Sequence, residues 1–547
     1  MNRASKIGVT ALFVVFLFIS AAFVRYGDLY FQIKKQLTIF SDLYKEVATL
    51  YVDEVPPETL MKKGIDAMLR ELDPYTVFIS EGEQQQMEIL STGGYGGIGV
   101  DAGFRGNEIV IIAPLEGYPA QRAGLRPGDV IRSVNNVSVE GFTPEEVQEL
   151  TIGDVGTTVK IKIYRPSTDQ EIDYELERER IEVRNISHSD TIGEEGNVVY
   201  IQLSQFGQQA AEEIREELLL AREEQNLKGL VLDLRNNPGG LLNEAVDIVD
   251  KFIEPGVTIV ETIGRITNQN NAFVSEEPAI FEDLPVIVLM NRGSASASEV
   301  VAGALQDLDR AVVIGEASFG KGLVQTIRPL PYNTSLKITV SKYYTPSGRS
   351  IQSIDYTGED NGFGRTIPDS LRRSFQTKNG RTVFDGQGIM PDILLEGRDE
   401  SRAEAAMLQN NHFFFFVNQL LAGDNSESEL PDDLFDQFVS YLDKNEFDYE
   451  TPADRSLKQL QENTRFFDDE RAFNEQVKVL KKLANDRKWE DLQASRLYIE
   501  EEIRKEWIAQ REGTVARYKY QLQSDEAVLK ALELMDDSDL YQSVLRP

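Results

Sequence analysis

Two short segments carry side chains in surroundings suited to covalent chemistry. The first is Asn291-Arg292-Gly293-Ser294-Ala295-Ser296-Ala297-Ser298-Glu299. It follows an apolar run ending at Met290 and precedes a helical pattern of Val300, Val301, Ala304, Leu305 and Leu308. Small residues around a serine at a strand-to-helix turn let a substrate backbone approach closely. The helix start adds free N–H groups and partial positive charge for a developing oxyanion. A cluster of N-capping serines has the same composition, so this segment alone leaves the two readings level.

The second segment is Gly315-Glu316-Ala317-Ser318-Phe319-Gly320-Lys321-Gly322-Leu323-Val324-Gln325. A lysine between glycines, just ahead of an apolar strand, is unusual for a solvated surface lysine. In an extended chain Lys321, Leu323 and Gln325 fall on one face, where Gln325 can hold the lysine amine. Desolvation depresses a lysine pKa, and a neutral amine can take a serine proton near neutral pH. Phosphate binding fits poorly, because the Walker spacing and the Ser or Thr after the lysine are absent. A third segment, Leu232-Asp233-Leu234-Arg235-Asn236-Asn237-Pro238-Gly239-Gly240, ends a strand and opens a helix. Paired glycines there can offer an N–H to an oxyanion, although plain βα turns use the same residues.

Composition narrows the chemistry. The chain has no Cys and only two His, His188 and His412, among 547 residues. Thiol nucleophiles, disulfides and thiolate metal sites are excluded, and neither His stands in a metal-ligand spacing. No metal or cofactor is expected. The formal net charge of −34 argues against a nucleic-acid partner.

The elements that must position these segments change texture along the chain. Residues 26–90 read as helices, with Leu37, Phe40, Tyr44, Val47 and Tyr51 at helical spacing and Pro56-Pro57 as a break. Residues 91–166 read as Gly-rich turns and short strands closed by Arg165-Pro166. Residues 167–395 alternate short apolar strands with helices, which argues for an α/β core. Residues 396–547 read as charged helices; solvated appendage, oligomer contact and adaptor site are its three readings. Phe413–Phe416, beside His412, reads as core or helix interface.

Within 91–166, Tyr95-Gly96-Gly97-Ile98-Gly99-Val100 can aim successive N–H groups into one concavity that holds a carboxylate. Ala113-Pro114-Leu115-Glu116-Gly117-Tyr118-Pro119-Ala120 and Ala123-Gly124-Leu125-Arg126-Pro127-Gly128-Asp129-Val130-Ile131 follow, then Val134-Asn135. This unit resembles a PDZ domain of the bacterial protease-associated type. The resemblance implies binding of apolar C-terminal tails, with Gly97, Ile98, Gly99 and Val100 as the carboxylate loop.

The three chemical segments, together with Leu72-Asp73-Pro74-Tyr75-Thr76, Lys342-Tyr343-Tyr344-Thr345-Pro346-Ser347-Gly348-Arg349 and Gly388-Ile389-Met390-Pro391-Asp392, resemble the carboxy-terminal processing (tail-specific) proteases. The resemblance spans about 35–395. It implies a multidomain α+β protein with a crotonase/ClpP-like α/β protease core, an inserted PDZ domain, N-terminal helices and a helical C-terminal extension. It further implies a serine endopeptidase with Ser296 as nucleophile and Lys321, 25 residues on (321 − 296), as general base. Gln325 matches the residue that positions the lysine. Ala297 and either Gly239 or Gly240 match the oxyanion hole, and Asp307 matches an acidic position of structural role. The PDZ domain of this family can also cover the proteolytic groove until a tail engages it.

Residues 1–25 read as an address. Arg3 and Lys6 precede an uncharged apolar stretch, 7–24, long enough to span a bilayer or to serve as a signal peptide. An uncleaved anchor in a bacterial inner membrane, with the catalytic domain in the periplasm, is the preferred expectation, and a cleaved, secreted form is the alternative. Two other functions compete: a trypsin-like protease that would need His188 or His412, and a non-enzymatic PDZ adaptor or chaperone.

Overall fold

The computed structural model describes residues 30–81 and 94–547, apart from 106–107, 167, 183, 225–226, 267–269, 357–363, 399, 423–428 and 463–469. The apolar stretch 7–24 and the boundary near 91 lie outside the described residues. No described helix is long and apolar enough to cross a membrane. The chain divides into two compact units.

The smaller unit takes residues up to Glu81, with Gln325–Thr339 and Tyr356–Arg365. Its helices cover 30–50 and Pro57–Arg70, with Pro56 as the N-cap of the second. The expectation of helices alone is corrected by a strand, Val77–Ile79, antiparallel to Ser335–Lys337. Asp73 sets up the turn into that strand: Oδ1 accepts from Tyr75 N and Thr76 N, both at 2.9 Å. Thr76 Oγ1 in turn accepts from Thr339 N at 3.2 Å. The Asp-Pro-Tyr-Thr motif is thus an Asx-type turn that anchors a strand across the unit.

The larger unit contains a six-stranded sheet in the order Ile186–Ile192, Val198–Leu203, Gly229–Asp233, Val286–Met290, Ala311–Gly315, Ile393–Leu394. All neighbours are parallel except the first pair. Every residue of the three central strands is buried. This explains why their sequences read as continuous apolar runs rather than alternating ones. The alternation is spatial: Leu230, Leu232, Val286, Val288 and Val313 join one cluster, with helices Ala210–Glu224, Leu242–Asp250 and Ala297–Asp307. Val231, Ile287, Leu289, Val312 and Ile314 face the other way, onto Val528, Ala531, Leu534 and Tyr541 of helices Glu526–Asp536 and Ser538–Val544. The end of the C-terminal extension is therefore the second cover of the sheet, not a solvated appendage.

The Gly-rich region folds as a second sheet in the order Val100–Arg105, Glu108–Pro114, Val130–Val134, Thr158–Arg165, Gln170–Glu177. The closure expected at Arg165-Pro166 is corrected: Gln170–Glu177 pairs along the whole of Thr158–Arg165, and Leu176 enters the domain core. Glu179–Glu182 then returns to pair with Gly94–Gly97. On the back of this sheet, Val110 and Val130 share a cluster with Phe413, Phe414, Phe415 and Phe416. That four-Phe run, read as core or interface, is buried.

Neither histidine is placed for a charge-relay role. His188 lies on strand Ile186–Ile192 and stacks on Tyr518 with ring centroids 4.6 Å apart. His412 packs edge-on to Phe447 at 4.9 Å. Burial lowers the pKa of both.

If the terminal helices are the second cover, Leu534→Ala will cost about 3 kcal/mol, as for other large-to-small changes in a core. Equilibrium denaturation checks this; a solvated appendage would show almost no change.

Candidate active site

The three chemical segments leave the C-terminal ends of three adjacent parallel strands: Gly229–Asp233, Val286–Met290 and Ala311–Gly315. That end of a parallel sheet is where βα loops converge on a ligand. Ser296 sits at the start of helix Ala297–Asp307 with φ 55° and ψ −112°, a backbone conformation that a non-glycine residue seldom adopts. Its neighbours hold it there. Ser294 Oγ donates to Leu234 O at 2.8 Å, and Ser298 Oγ to Asn237 O at 2.9 Å. Both flanking hydroxyls are thus buried pegs between the first and third segments. The Ser296 side chain is hydrogen-bonded instead to Tyr343, whose buried phenol is pushed up to about 12 by desolvation and so keeps its proton.

Gly239 lies directly against this turn. A Cβ built on it would stand 2.9 Å from both Ala297 N and Ser296 Cβ, and its φ is +103°. Only glycine fits that approach. The Gly239 N–H donates to Asn237 Oδ1 at 2.9 Å, while Phe206 N donates to Gly239 O at 3.1 Å. The next glycine, Gly240, leaves space only for hydrogen, because a Cβ would meet Phe206 O at 2.3 Å. Ala297 is the first helical residue, so its N–H lies beyond the reach of intrahelical acceptors.

Lys321 follows the third strand. The glycines about it serve close approaches: a Cβ on Gly320 would meet Ser353 Oγ at 2.0 Å, and one on Gly322 would meet Gln352 N at 2.4 Å. Gly322 O accepts from Tyr343 N at 2.9 Å. Tyr343 is thus tied to the lysine segment through its backbone and to Ser296 through its side chain. Gln325 falls in the smaller unit, where Nε2 donates to Thr339 Oγ1 at 3.2 Å.

One side chain joins the serine and lysine segments outright. Glu299, 0% exposed, accepts four hydrogen bonds. Oε2 takes Ser296 N and Lys321 N, each at 2.8 Å. Oε1 takes Gly320 N at 2.7 Å and Ser318 Oγ at 2.5 Å. Desolvation pushes its carboxyl up to about 7 in spite of these donors. Asp307 is occupied elsewhere: its carboxylate pairs with buried Arg349 at 2.8 Å and accepts from Ser347 N at 3.2 Å, which shapes the Thr345–Arg349 turn.

In the second sheet, among the described residues, Val100–Arg105 is an edge strand with one partner. A cavity of about 240 Å³ runs beside it, lined by Ile98, Val100, Ala102, Ile131, Val147 and Thr151 among others. Helix Pro144–Thr151, held by a Thr143–Glu146 capping box, forms the opposite wall. Gly97 ends the strand paired with Glu179–Glu182, and Gly99 has φ +71° with Tyr118 packed against it. Ile98 is both cavity lining and core.

Family models match the chain as peptidase family S41 over 197–359, as a PDZ domain over 110–165, and as a probable PDZ-protease C-terminal helical domain over 403–535. A carboxy-terminal-processing protease of Bartonella bacilliformis is 38% identical over 326 residues, covering 59% of this chain and 74% of that one. The chain belongs to peptidase family S41, the carboxy-terminal-processing proteases. A probable CtpA-like serine protease of Staphylococcus aureus is 36% identical over 58% of this chain and 63% of its own length, just under two thirds. The solved photosystem II D1 C-terminal processing protease is 25% identical, covering 66% of this chain and 92% of that one, with a TM-score of 0.35. The multidomain α+β architecture expected from sequence, with a PDZ domain, an S41 core and a helical C-terminal region, is the one observed.

Sequence reasoning missed Glu299 and Tyr343. Both stood inside quoted motifs, but nothing in either motif says that an acid three residues after Ser296 turns inward. The signal available was the acid at the third helical position, where a capping-box residue bonds back to the N-cap N–H.

The pegs and the central serine should separate by substitution. Ser294→Ala and Ser298→Ala should each lower stability by about 1 kcal/mol by removing a buried hydrogen bond to a loop carbonyl. Ser296→Ala should lower the melting temperature less than either, because it loses the hydrogen bond to Tyr343 but no peg to the neighbouring loop. Thermal melts of the three variants check this.

Proposed function

We propose that this S41-family protease cleaves proteins by a Ser–Lys dyad and selects them by their C-terminal tails. Ser296 Oγ attacks the scissile carbonyl while neutral Lys321 takes its proton, so the Oγ–C bond forms as the carbonyl oxygen becomes an oxyanion. The Ala297 and Gly240 N–H groups bind that oxyanion. Gly240 is chosen over Gly239 because the Gly239 N–H is already bonded to Asn237. Lys321 then gives the proton to the departing amine as the C–N bond breaks. Water repeats the sequence on the acyl-enzyme, with Lys321 again as base.

The observation that carries the reading is the convergence on Ser296. Of the three clustered serines, only this one has a hydroxyl that is not a peg to the neighbouring loop, and the Glu299 carboxylate joins its backbone to that of Lys321.

Tail selection follows from the groove. An apolar C-terminal residue fills the cavity between the edge strand and helix Pro144–Thr151, the tail adds as a further strand, and N–H groups from Gly97 to Val100 take the carboxylate. An engaged tail relieves cover of the proteolytic groove. The 7–24 stretch holds the enzyme to a bacterial inner membrane, so its substrates are extracytoplasmic proteins.

Purified protein lacking residues 1–25 tests this on a folded reporter with an apolar C-terminal tail. Ser296→Ala and Lys321→Ala should each abolish cleavage. A Lys321→Ala enzyme that keeps most of its activity would sink the dyad. A free peptide with an apolar tail and a free carboxylate should alter reporter cleavage, while its C-terminal amide should not. Equal effects of the two peptides would reject carboxylate recognition.

A further inference from the structure

We propose that Glu299 is the positioning residue of this reaction: one of its carboxylate oxygens holds the main-chain N–H of Ser296 and that of Lys321 together, and so sets how the hydroxyl meets the amine. The inference rests on the Ser296–Lys321 reading above.

The geometry has three parts. First, the two bonds to Oε2 are equal at 2.8 Å, so the nucleophile-bearing and base-bearing segments share a single acceptor atom. Second, Oε1 completes the hold on the lysine side, through Gly320 N and Ser318 Oγ. Ser318 Oγ is itself fixed, accepting from Ile389 N at 2.7 Å. A carboxylate offers about four lone-pair sites, and here four donors fill them. Third, three of the four donors are backbone amides, which cannot reverse direction. Both oxygens must therefore accept from amides, a condition that a glutamine side chain cannot meet.

The strained backbone of Ser296 gives this hold its purpose. A residue at φ 55° and ψ −112° relaxes unless its surroundings over-determine it. The bond from Ser296 N to Oε2 is one of the constraints that stop it relaxing. The titratable groups facing the carboxylate are Tyr343, whose phenol senses the Glu299 charge, and Lys321, held through its main-chain N–H. Asp307 cannot substitute, since its oxygens are engaged by Arg349, Thr345 and Ser347.

Glu299→Gln is the decisive change. It preserves shape but turns one oxygen into an N–H₂ group that faces amide donors. Measured on a peptide substrate, kcat should fall about 100-fold, the size of loss that small misplacement causes, with KM within about twofold. Binding of an apolar-tail peptide should match the wild type. Ser318→Ala supplies a second test should Glu299→Gln fail to fold. It removes one donor that favours the charge, so kcat should drop several-fold and the acidic limb of the pH–kcat profile should move to higher pH. A folded Glu299→Gln enzyme with wild-type kcat, or a Ser318→Ala enzyme with unshifted limb and kcat, overturns the proposal. Ser296→Ala run in parallel separates the two levels. If it still cleaves, the dyad reading fails; if it is dead while Glu299→Gln is fully active, only the positioning role fails.

Discussion

A sheet whose central strands are apolar on both faces must be covered twice, and this requirement organises most of the larger unit. Gly229–Asp233, Val286–Met290 and Ala311–Gly315 expose nothing to water. Crossover helices between consecutive strands supply one cover at no topological cost, since a parallel connection needs them anyway. Among the described residues of 186–395, the opposite face has no such supply. It is closed by residues 522–545, more than 200 positions after the sheet's central strand begins. The sheet edge, the loops at its C-terminal ends and their chemistry therefore depend on a segment that contributes no side chain to the Ser296–Lys321 cluster.

The same dependence reaches the loop that carries Gly239 and Gly240. Arg235, three residues after the strand's Leu232, pairs with fully buried Asp233 at 2.6 Å and with Asp525 at 2.8 Å. Asp525 is also the N-cap of helix Glu526–Asp536, accepting from Ala527 N and Val528 N. Tyr200 OH completes the Asp233 shell at 2.6 Å. A buried charge left without a partner is costly, on the order of 3–5 kcal/mol. The start of the covering helix and the start of the glycine loop are thus held to each other by one guanidinium.

Much of this was legible in the residues and some could not be. The alternating strands and helices of the core, the Gly-rich groove loop and the segments with Ser296, Lys321 and Gly239 were readable, because each is a local pattern with a local cause. The four-Phe run at 413–416 was readable as buried, but its partners Val110 and Val130 lie some 300 residues away, and no local pattern encodes that. The second cover was hidden for a related reason. Helix Glu526–Asp536 is amphipathic like any surface helix, and its sequence does not say which apolar face it meets. A Pro-containing turn followed by the polar strand Gln170–Glu177 resembles an exit at Arg165-Pro166, whereas that strand buries Leu176 and packs Ile172 and Tyr174 against the same core.

Glu299 shows why a buried acid was the hardest feature to see and the most informative once placed. Acidic residues in the first turn of a helix ordinarily face water and favour the helix dipole. Here the neighbouring residues Ala297, Ser298, Val300 and Val301 are all buried, so the first turn has no wet side. An acid in that position would be expelled, or neutralised, unless donors replaced its hydration. The donors come from the turn before the helix and from the glycine-flanked lysine segment, two stretches separated by the whole length of the helix and a strand. Burial cost and donor count are matched only when both stretches are in place, so the folded loop geometry and the charge of Glu299 stabilise each other. A neutral residue of the same size would lift the desolvation cost, yet it would leave at least one of three irreversible amide donors unpaired in a dry site.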